Sequence, residues 1–437
     1  MKTRLSKNQT VNILTLGCSK NLVDSEVLLR QLQAAGFKIL HDSDKQADVV
    51  IVNTCGFIHD AKEESVNTIL QYTQARKNGD LQKLIVMGCL SERYKEELIR
   101  EIPEVDAFFG VNDVNALLQS LNSEFKDALL GERVITTLPH YAYLKISEGC
   151  DRTCSFCAIP GIRGKNISRS VESLVKEASF LVNQGVTELM LIAQDLTYYG
   201  IDLYGKRMLP DLLEELVKIN GLEWIRLHYA YPAGFPVELL DVMARHDKIC
   251  KYIDIPLQHV NSRILKSMRR NIDGEGTRKL VKTIREKVPG ITIRSSFIVG
   301  YPGETAAEFA ELRDFIAESS FERVGVFTYS HEENTPAWQL QDNVRPAIKA
   351  RRAEEIMLLQ QDISARHNNS FVGRKVKIMV DKQEGDYWIG RTEFDSPEVD
   401  NEVIIKNYPG KLVPGDFTEV LITSSDMYDL IADYSAE

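Results

Sequence analysis

The sequence predicts an α/β protein in three parts: an N-terminal α/β domain with a parallel sheet, a central incomplete (β/α)6 barrel and a small C-terminal β-barrel. Patterns of buried strands and helices alternate from residue 11 to about 109 and again from 143 to 329, and this alternation is typical of parallel sheets with helical crossovers. After residue 371, short strands punctuated by glycine replace it. A chain of 437 residues has room for two to four domains, and we place them at 1–122, 136–369 and 370–437.

In the N-terminal domain each of the first three strands leads to a cysteine. Cys18, Cys55 and Cys89 follow these strands, and each lies next to a glycine. Ligands of parallel sheets bind outside the carboxyl ends of the strands, so we expect the three thiols to meet at one edge. Three unrelated small residues would be the alternative, but the repetition favours a cluster with three protein ligands and one open iron. The strands are expected over 11–16, 48–52, 83–87 and 106–109.

A second group of cysteines, Cys150, Cys154 and Cys157, has the spacing C-x3-C-x2-C. Ferredoxin-type runs have four cysteines at other spacings, so three thiolates here would again leave one iron open to a small molecule. A zinc site or buried free thiols are the alternatives, but zinc usually takes C-x2-C pairs with a fourth Cys or His, and no histidine lies near in the sequence. The seventh cysteine, Cys250, is expected to be an inert core residue.

The central domain contains six strand-like stretches, two fewer than a closed (β/α)8 barrel. Three of them are followed by polar groups: Gln194-Asp195, Gln258-His259 and the turn that begins at Gly300. Turns and helix caps explain these groups without a ligand, and His259 by itself is expected to lie in an exposed turn. The strands are expected over 143–147, 187–193, 224–228, 251–255, 291–299 and 321–329, with helices over 171–184, 237–246, 275–287 and 306–318.

A helix over 345–369 leads to the C-terminal segment, where five short strands predict a small barrel of the OB-like kind. Residues 371–437 contain seven basic and fourteen acidic residues, a net charge of −7. Such a barrel repels phosphates and attracts a basic protein, although a solvated acidic surface kept for solubility has the same composition. The strands are expected over Val376–Val380, Tyr387–Arg391, Glu402–Ile405, Thr418–Thr423 and Tyr428–Ala432.

The composition of the whole chain limits the classes of function. The net charge of −10 argues against a protein built mainly to coat nucleic acid. No apolar run approaches the ~20 residues of a membrane span, and the first ten residues do not form a signal peptide. A cytoplasmic protein is therefore expected, and there seven cysteines indicate metal binding or catalysis before disulfides.

The motifs together carry a resemblance to a known family. The C-x3-C-x2-C spacing with Phe156 before Cys157 resembles the signature of radical S-adenosylmethionine (SAM) enzymes. The run from Thr15 to Glu26, Thr-Leu-Gly-Cys-Ser-Lys-Asn-Leu-Val-Asp-Ser-Glu, with Asn53-Thr54-Cys55 and Gly88-Cys89, resembles the radical SAM methylthiotransferases. Within them it is similar to the branch that modifies a ribosomal protein, because the tRNA-modifying branch usually has Gln-Met-Asn at positions 19–21. The resemblance extends along nearly the whole chain.

The resemblance implies the cofactors and the site residues. It implies two 4Fe–4S clusters, one held by Cys150, Cys154 and Cys157 and one by Cys18, Cys55 and Cys89, with all six cysteines counted as catalytic residues. It also implies SAM, contacted by residues in a radical SAM barrel, and a C-terminal TRAM domain. In the family mechanism one electron cleaves SAM, the resulting radical takes a hydrogen atom, and a methylthio group from the second cluster fills the position. The SAM contacts expected here are Phe156, Gln194, Asp195 and Gly300.

The resemblance also implies the partners. The substrate would be small-subunit ribosomal protein twelve, modified at the β-carbon of an aspartate, and a flavodoxin- or ferredoxin-type protein would donate electrons. Neither tRNA nor a membrane is expected as a partner. We expect the acidic 371–437 segment to help recruit the basic ribosomal protein, so that reversing a group of its carboxylates expected at the surface, such as Glu393, Asp395, Glu398 and Asp400, slows modification.

Two other functions remain open at this point. A tRNA methylthiotransferase would use the same chemistry, and a basic barrel with Gln-Met-Asn after Cys18 would favour it. A non-catalytic iron–sulfur electron carrier or RNA-binding module would have a fully ligated cluster and no SAM pocket, which the three-plus-three arrangement of cysteines opposes.

Overall fold

The computed structural model describes residues 9–434 apart from 407 and 409. The chain folds into two compact units. The first comprises the chain up to residue 136 with 148–152 and 157–167, and the second comprises 137–147, 153–156 and the chain from 168 onward. Among the described residues, no helix has the length and apolar character needed to cross a membrane.

The first unit is built on a parallel sheet of five strands in the order β2-β1-β3-β4-β5. Helices connect the strands, as parallel pairing requires. Its strands are β1 (Thr10–Thr15), β2 (Lys38–His41), β3 (Val49–Thr54), β4 (Lys83–Gly88) and β5 (Ala107–Phe108). Its α-helices are α1 (Ser19–Ala34), α2 (His59–Asn78), α3 (Cys89–Glu101), α4 (Val114–Ser120) and α5 (Ile159–Arg163), with a 3-10 turn at Asp127–Leu129.

The central strands of this sheet are buried on both faces. Every residue of β3 is buried, because its β-branched run packs into one apolar cluster on each side of the sheet. The sequence predicted β1, β3, β4 and β5 but missed β2. That short edge strand is only half-buried, so its hydrophobic pattern is weak.

The second unit contains six parallel strands in the order β13-β12-β11-β10-β9-β6, an open sheet in which neighbours follow chain order. The prediction of an incomplete (β/α)6 barrel is confirmed. The strands are β6 (Tyr141–Lys145), β9 (Glu188–Ile192), β10 (Trp224–Leu227), β11 (Ile249–Asp254), β12 (Thr292–Val299) and β13 (Arg323–Thr328). Two short strands, β7 (Ser147–Glu148) and β8 (Ile167–Ser168), flank the cysteine loop in the sequence.

The helices of this unit follow the predicted alternation. Thr305 and Glu308 form a capping box, with both side chain-to-backbone bonds present. The helices are α6 (Val171–Asn183), α7 (Ile201–Tyr204), α8 (Leu209–Leu216), α9 (Glu238–Arg245), α10 (Ser262–Ser267), α11 (Gly274–Lys287), α12 (Ala306–Ser319) and α13 (Pro346–Asn369), with 3-10 turns at Leu196–Tyr198 and Pro336–Gln339.

The C-terminal segment forms a closed barrel of five strands in the order β14-β15-β16-β18-β17, as predicted. Closure leaves no free sheet edge, and its interior is a compact apolar cluster that includes Ile378, Val403 and Ile422. The strands are β14 (Lys375–Glu384), β15 (Tyr387–Thr392), β16 (Val403–Lys406), β17 (Phe417–Ser425) and β18 (Leu430–Tyr434).

Two single residues show how tertiary packing decides burial. The expectation that His259 lies exposed is wrong: it is fully buried, its Nδ1 accepts from the amide of Asn261 at 3.0 Å, and burial lowers its pKa to about 3. Cys250 is the core residue predicted, packed against Trp224, Tyr252 and Met379. Burial raises the pKa of the Cys250 thiol to about 12, which is consistent with an inert thiol.

Candidate functional site

The structure brings Cys18, Cys55 and Cys89 to one edge of the N-terminal sheet. Cys18 lies at the start of α1, three residues after β1 ends. Cys55 directly follows β3, and Cys89 is the first residue of α3, directly after β4. Since β1, β3 and β4 are neighbours in the sheet, their carboxyl ends place the three cysteines side by side.

Close backbone packing holds this edge together. Gly17 has φ +93°, and a Cβ there would lie 2.7 Å from the Cβ of Cys55, so only glycine fits without moving a cysteine. The Asn21 side chain donates to the carbonyl oxygens of Leu16 (2.8 Å) and Thr54 (3.1 Å). These bonds tie the loop that carries Cys18 to the end of the strand that precedes Cys55.

The three thiols are close enough to affect one another's ionisation. Cys89 is 4% exposed, and burial raises its pKa to about 12, with Cys18 and Cys55 adding to the rise. Burial also raises the pKa of Cys55, to which Cys18 contributes. A thiolate is the species that binds metal, so these thiols need a nearby positive charge in order to ionise.

Arg163 supplies that charge from the last residue of α5. Its side chain is 1% exposed, and it donates to Asn21 Oδ1 at 2.5 Å and to Glu148 Oε1 at 2.8 Å. Burial disfavours its charged form, but Asp24, Cys89 and other anions outweigh burial and raise its pKa. In turn, Arg163 opposes the rise in the pKa of Cys89, both through its charge and through a side-chain hydrogen bond.

The segment around α5 also packs on the same edge. Ala158 and Ile162 form a small apolar cluster with Cys89 and Val111. The amide of Cys150 donates to the carbonyl oxygen of Gly164 at 3.0 Å, which closes the loop on itself. Residues on both sides of the C-x3-C-x2-C motif therefore belong to the first unit, including Cys150 and Cys157.

Cys154, the middle cysteine of that motif, belongs to the second unit. It is 8% exposed and lies beside a buried cation, since Arg270 Nη1 donates to Cys154 Sγ at 3.3 Å. Tyr231 Oη lies 3.6 Å from the same sulfur, and the Arg270 guanidinium stacks 4.2 Å from the Tyr231 ring centroid. A cation and a hydroxyl therefore both contact this sulfur.

The residues predicted to contact SAM all lie in the second unit. Phe156 is half-buried and packs in an apolar cluster with Met268 and Tyr301. Gln194 is half-exposed just after β9, and the Asp195 carboxylate accepts from the amide and hydroxyl of Thr197 at 2.8 and 2.6 Å. The amide of Gly300, which has φ +74°, donates to Glu304. Their roles toward SAM stay a prediction.

The donor sets are thiols that lie near buried arginines, a chemistry that suits iron–sulfur clusters. In the part of the chain that the structure describes, no three His, Cys, Asp or Glu side chains are placed to hold one metal ion. A 4Fe–4S cube spreads its cysteines over separate iron atoms, so its thiols need not converge on one point. Close thiols with a buried arginine at Cys18, Cys55 and Cys89, and a second arginine at Cys154, suit such clusters.

Comparison with known proteins decides the family. A protein of Flavobacterium psychrophilum named ribosomal protein uS12 methylthiotransferase RimO is 53% identical over 98% of this chain and 99% of its own length. A protein of the same name from Christiangramia forsetii is 52% identical over 98% of this chain and 95% of its own. The chain belongs to the RimO family of radical SAM methylthiotransferases. The recognition of that family from the sequence motifs is confirmed.

Three domain families match successive parts of this RimO family member. Residues 10–110 match the uncharacterized protein family UPF0004, 144–316 the radical SAM superfamily and 372–434 the TRAM domain. Membership in the radical SAM superfamily implies a 4Fe–4S cluster and SAM. It does not by itself imply a second cluster.

Solved structures agree on the fold of this RimO family member. The radical SAM methyltransferase TsrM of Kitasatospora setae has a TM-score of 0.57 at 16% identity, covering 76% of this chain and 77% of its own. The cobalamin-dependent SAM radical enzyme OxsB has a TM-score of 0.51 at 14% identity, covering 76% and 55%. At such identity the likeness supports the fold alone.

Sequence reasoning missed the two arginines and misjudged the acidic group of the barrel. Neither Arg163 nor Arg270 lies in a motif that marks it as a partner of a cysteine. Of the four carboxylates expected at the surface, Asp395 is buried and pairs with Arg323. Glu393 accepts from the amide of Lys251, Glu398 from Tyr141, and Asp400 from Tyr252. These contacts bind the TRAM domain to the central sheet, so the four carboxylates do not form one exposed group; of the four, only Glu398 is exposed.

Proposed function

We propose that this chain transfers a methylthio group to the β-carbon of an aspartate in ribosomal protein uS12. One observation carries the proposal beyond family membership: the grouping of Cys18, Cys55 and Cys89 around Arg163. A radical SAM enzyme that only cleaves SAM needs the C-x3-C-x2-C cysteines alone. A second site with three thiols and a buried cation supports a second cluster, as sulfur insertion requires.

The proposed division of work follows from the two sites. Cys150, Cys154 and Cys157 would hold the cluster that binds SAM, and Cys18, Cys55 and Cys89 would hold the second. When bound, these groups supply one-electron chemistry that opens an unactivated C–H bond, which has no acidic proton for a base to remove. The chain itself stabilises the thiolates, through Arg163 at one site and Arg270 with Tyr231 at the other.

The substrate side of the proposal rests on charge. In the described part of the 371–437 segment, exposed acidic residues outnumber exposed basic ones by seven to four even though several carboxylates point inward. An acidic face favours encounter with a basic ribosomal protein over tRNA. The exposed acidic residues are Glu384, Asp386, Glu398, Glu402, Asp416, Glu419 and Asp426. We also propose a flavodoxin- or ferredoxin-type electron donor and, because ribosomal proteins act there, a cytoplasmic location.

A competition between substrates tests the function. The protein is reconstituted anaerobically with iron and sulfide and incubated with SAM, reductant, uS12 and tRNA together. We expect the mass gain of one methylthio group on a single uS12 aspartate and none on tRNA. Cys55→Ala serves as the control and should give unmodified uS12. Modification of tRNA with none on uS12 would end the assignment to the ribosomal protein.

A further inference from the structure

The loop between β15 and β16, residues 393–402, lies against the strands of the central sheet. Arg226 on β10 donates to the Glu393 carbonyl oxygen at 2.6 Å, and Arg323 on β13 pairs with Asp395. The backbone amide of Lys251 on β11 donates to the Glu393 carboxylate at 3.0 Å. A loop of the TRAM domain therefore contacts three strands of the barrel.

Asp400 in this loop begins a series of polar contacts that leads to the carboxyl ends of β10 and β11. Its carboxylate is 1% exposed and accepts from Tyr252 Oη at 2.8 Å and from Arg294 Nε at 3.2 Å. Arg294 Nη1 lies 3.5 Å from Asp254 Oδ1, and Asp254 Oδ2 accepts from the Tyr229 amide at 3.1 Å. Each step is a contact between buried or half-buried groups, where solvent screens little.

This series of polar contacts ends at a residue with a strained backbone. Tyr229, two residues after β10, has φ +63°, a left-handed conformation that a bulky residue adopts only where its surroundings hold it. Asp254 holds it from two sides, because its carboxylate binds the Tyr229 amide and its carbonyl oxygen accepts from the next amide, Ala230, at 2.8 Å.

The turn at Tyr229 also fixes the segment that follows the neighbouring strand β9. The carbonyl oxygen of Tyr229 accepts from the amide of Leu196 at 3.1 Å. Leu196 directly follows Gln194 and Asp195 in the sequence. This is the carboxyl rim of the barrel, where the chemistry of such folds takes place. The contacts therefore connect the TRAM loop with the carboxyl rim of the barrel.

We propose that Asp400 is a positioning residue of the radical SAM barrel, acting through Arg294 and Asp254 on the Tyr229 turn. Asp400 directs the Arg294 guanidinium, which neutralises the buried Asp254 carboxylate and keeps it aimed at the Tyr229 amide. The TRAM domain thus belongs to the construction of the catalytic rim as well as to substrate encounter. This inference goes beyond the proposed function and does not depend on which substrate is modified.

The competing explanation is that the loop only fastens the TRAM domain. Asp395 offers a matched control, because it is an equally buried carboxylate of the same loop paired with an arginine of the same sheet. Its partner Arg323 donates onward to the Glu322 carbonyl oxygen at the start of β13, whereas Arg294 leads through Asp254 to the Tyr229 turn. A fastening role predicts the same effect from losing either carboxylate, whereas positioning predicts a difference.

Hydrogen exchange in the full-length, anaerobically reconstituted protein separates the two. Asp400→Asn should speed exchange of the Tyr229 and Leu196 amides by roughly tenfold, the scale of losing one hydrogen bond to a charged group. Asp395→Asn should leave these two amides at the wild-type rate. Exchange is read by mass spectrometry on peptides that cover 194–199 and 226–232.

Two outcomes would overturn the proposal. Equal acceleration in both variants would show general loosening, and no acceleration in Asp400→Asn would show that the contacts do not transmit. If Asp400→Asn does not fold, Tyr252→Phe replaces it, since it removes only the 2.8 Å bond to Asp400. Faster exchange at Tyr229 in Tyr252→Phe, absent in Asp395→Asn, supports the proposal, and unchanged exchange overturns it.

Discussion

Replacing Arg163 with methionine should selectively weaken the Cys18, Cys55 and Cys89 site. Methionine keeps much of the volume but removes the charge. A thiolate and a guanidinium at hydrogen-bond range attract by about 4 kcal/mol at an effective dielectric constant of about 20. Burial already raises the pKa of Cys89 to about 12, and the charge and hydrogen bond of Arg163 oppose that rise.

The expected loss follows from these values. If half to all of that attraction is lost, about 2–4 kcal/mol, the affinity of the site for its cluster falls roughly 30- to 1,000-fold at 1.4 kcal/mol per tenfold. The carboxylates of Asp24 and Glu148, which lose their partner, are 13% and 21% exposed. Water can solvate them in part, so the fold should survive the substitution.

Iron content under chelator challenge measures the effect. Wild-type protein should hold about eight irons per chain as two 4Fe–4S clusters, and Arg163→Met should fall toward about four. Arg169→Met is the control, because Arg169 forms a comparable pair with Glu177 at 2.6 Å in the other unit, without a cysteine partner. If Arg163→Met lost iron no faster than Arg169→Met, the role given to this arginine would be wrong.

Three further predictions concern the division of labour, pH and recruitment. Cys154→Ala should abolish reductive cleavage of SAM, whereas Cys55→Ala should keep most cleavage yet stop sulfur transfer; loss of cleavage in a well-folded Cys55→Ala protein would contradict separate roles. His259 has a pKa of about 3 in the folded protein against 6.5 in the unfolded chain. Protons therefore favour the unfolded state as the pH falls below 6.5, and the free energy of unfolding should drop by about 2 kcal/mol at pH 5. His259→Gln should reduce the shift of the urea midpoint between pH 8 and pH 5, and an unchanged shift would contradict this. Four exposed acidic residues of the TRAM barrel can be changed together to lysine: Glu384, Asp386, Glu402 and Glu419. This change should slow uS12 modification most at low salt and spare SAM cleavage. A salt-independent rate equal to that of the wild type would contradict acidic recruitment.

Much of the fold was predictable because strand and helix periods differ clearly along this chain. The fully buried strands, such as β3, read as continuous β-branched runs, and the glycines of the last segment marked its turns. The half-buried strand β2 did not, because edge strands carry little pattern. The burial of His259 was also beyond the sequence, since it depends on how α10 and α12 pack around a turn that looks polar.

The six cysteines proposed as cluster ligands could be singled out from their spacing and from their places after strands. Arg163 and Arg270 were not, because a buried arginine has no local pattern: its partners, such as Asn21 and Glu148 for Arg163, lie far away in the sequence. The acidic residues of the TRAM segment were misjudged for a related reason. Composition gives the net charge of a segment, but it does not show which of its carboxylates are exposed and which are buried.

The ion pairs that join the TRAM barrel to the central sheet have a consequence for protein engineering. Arg391 on β15 lies 2.6 Å from Glu188 on β9 and 2.8 Å from Asp381 on β14, and His140 pairs with Asp381 at 2.7 Å. Because these groups are buried, a foreign barrel grafted at residue 371 would leave unmatched charges on the host strands. A chimera intended to redirect the enzyme to another substrate should therefore carry over the matching residues of β9 and of the stretch before β6 together with the new barrel.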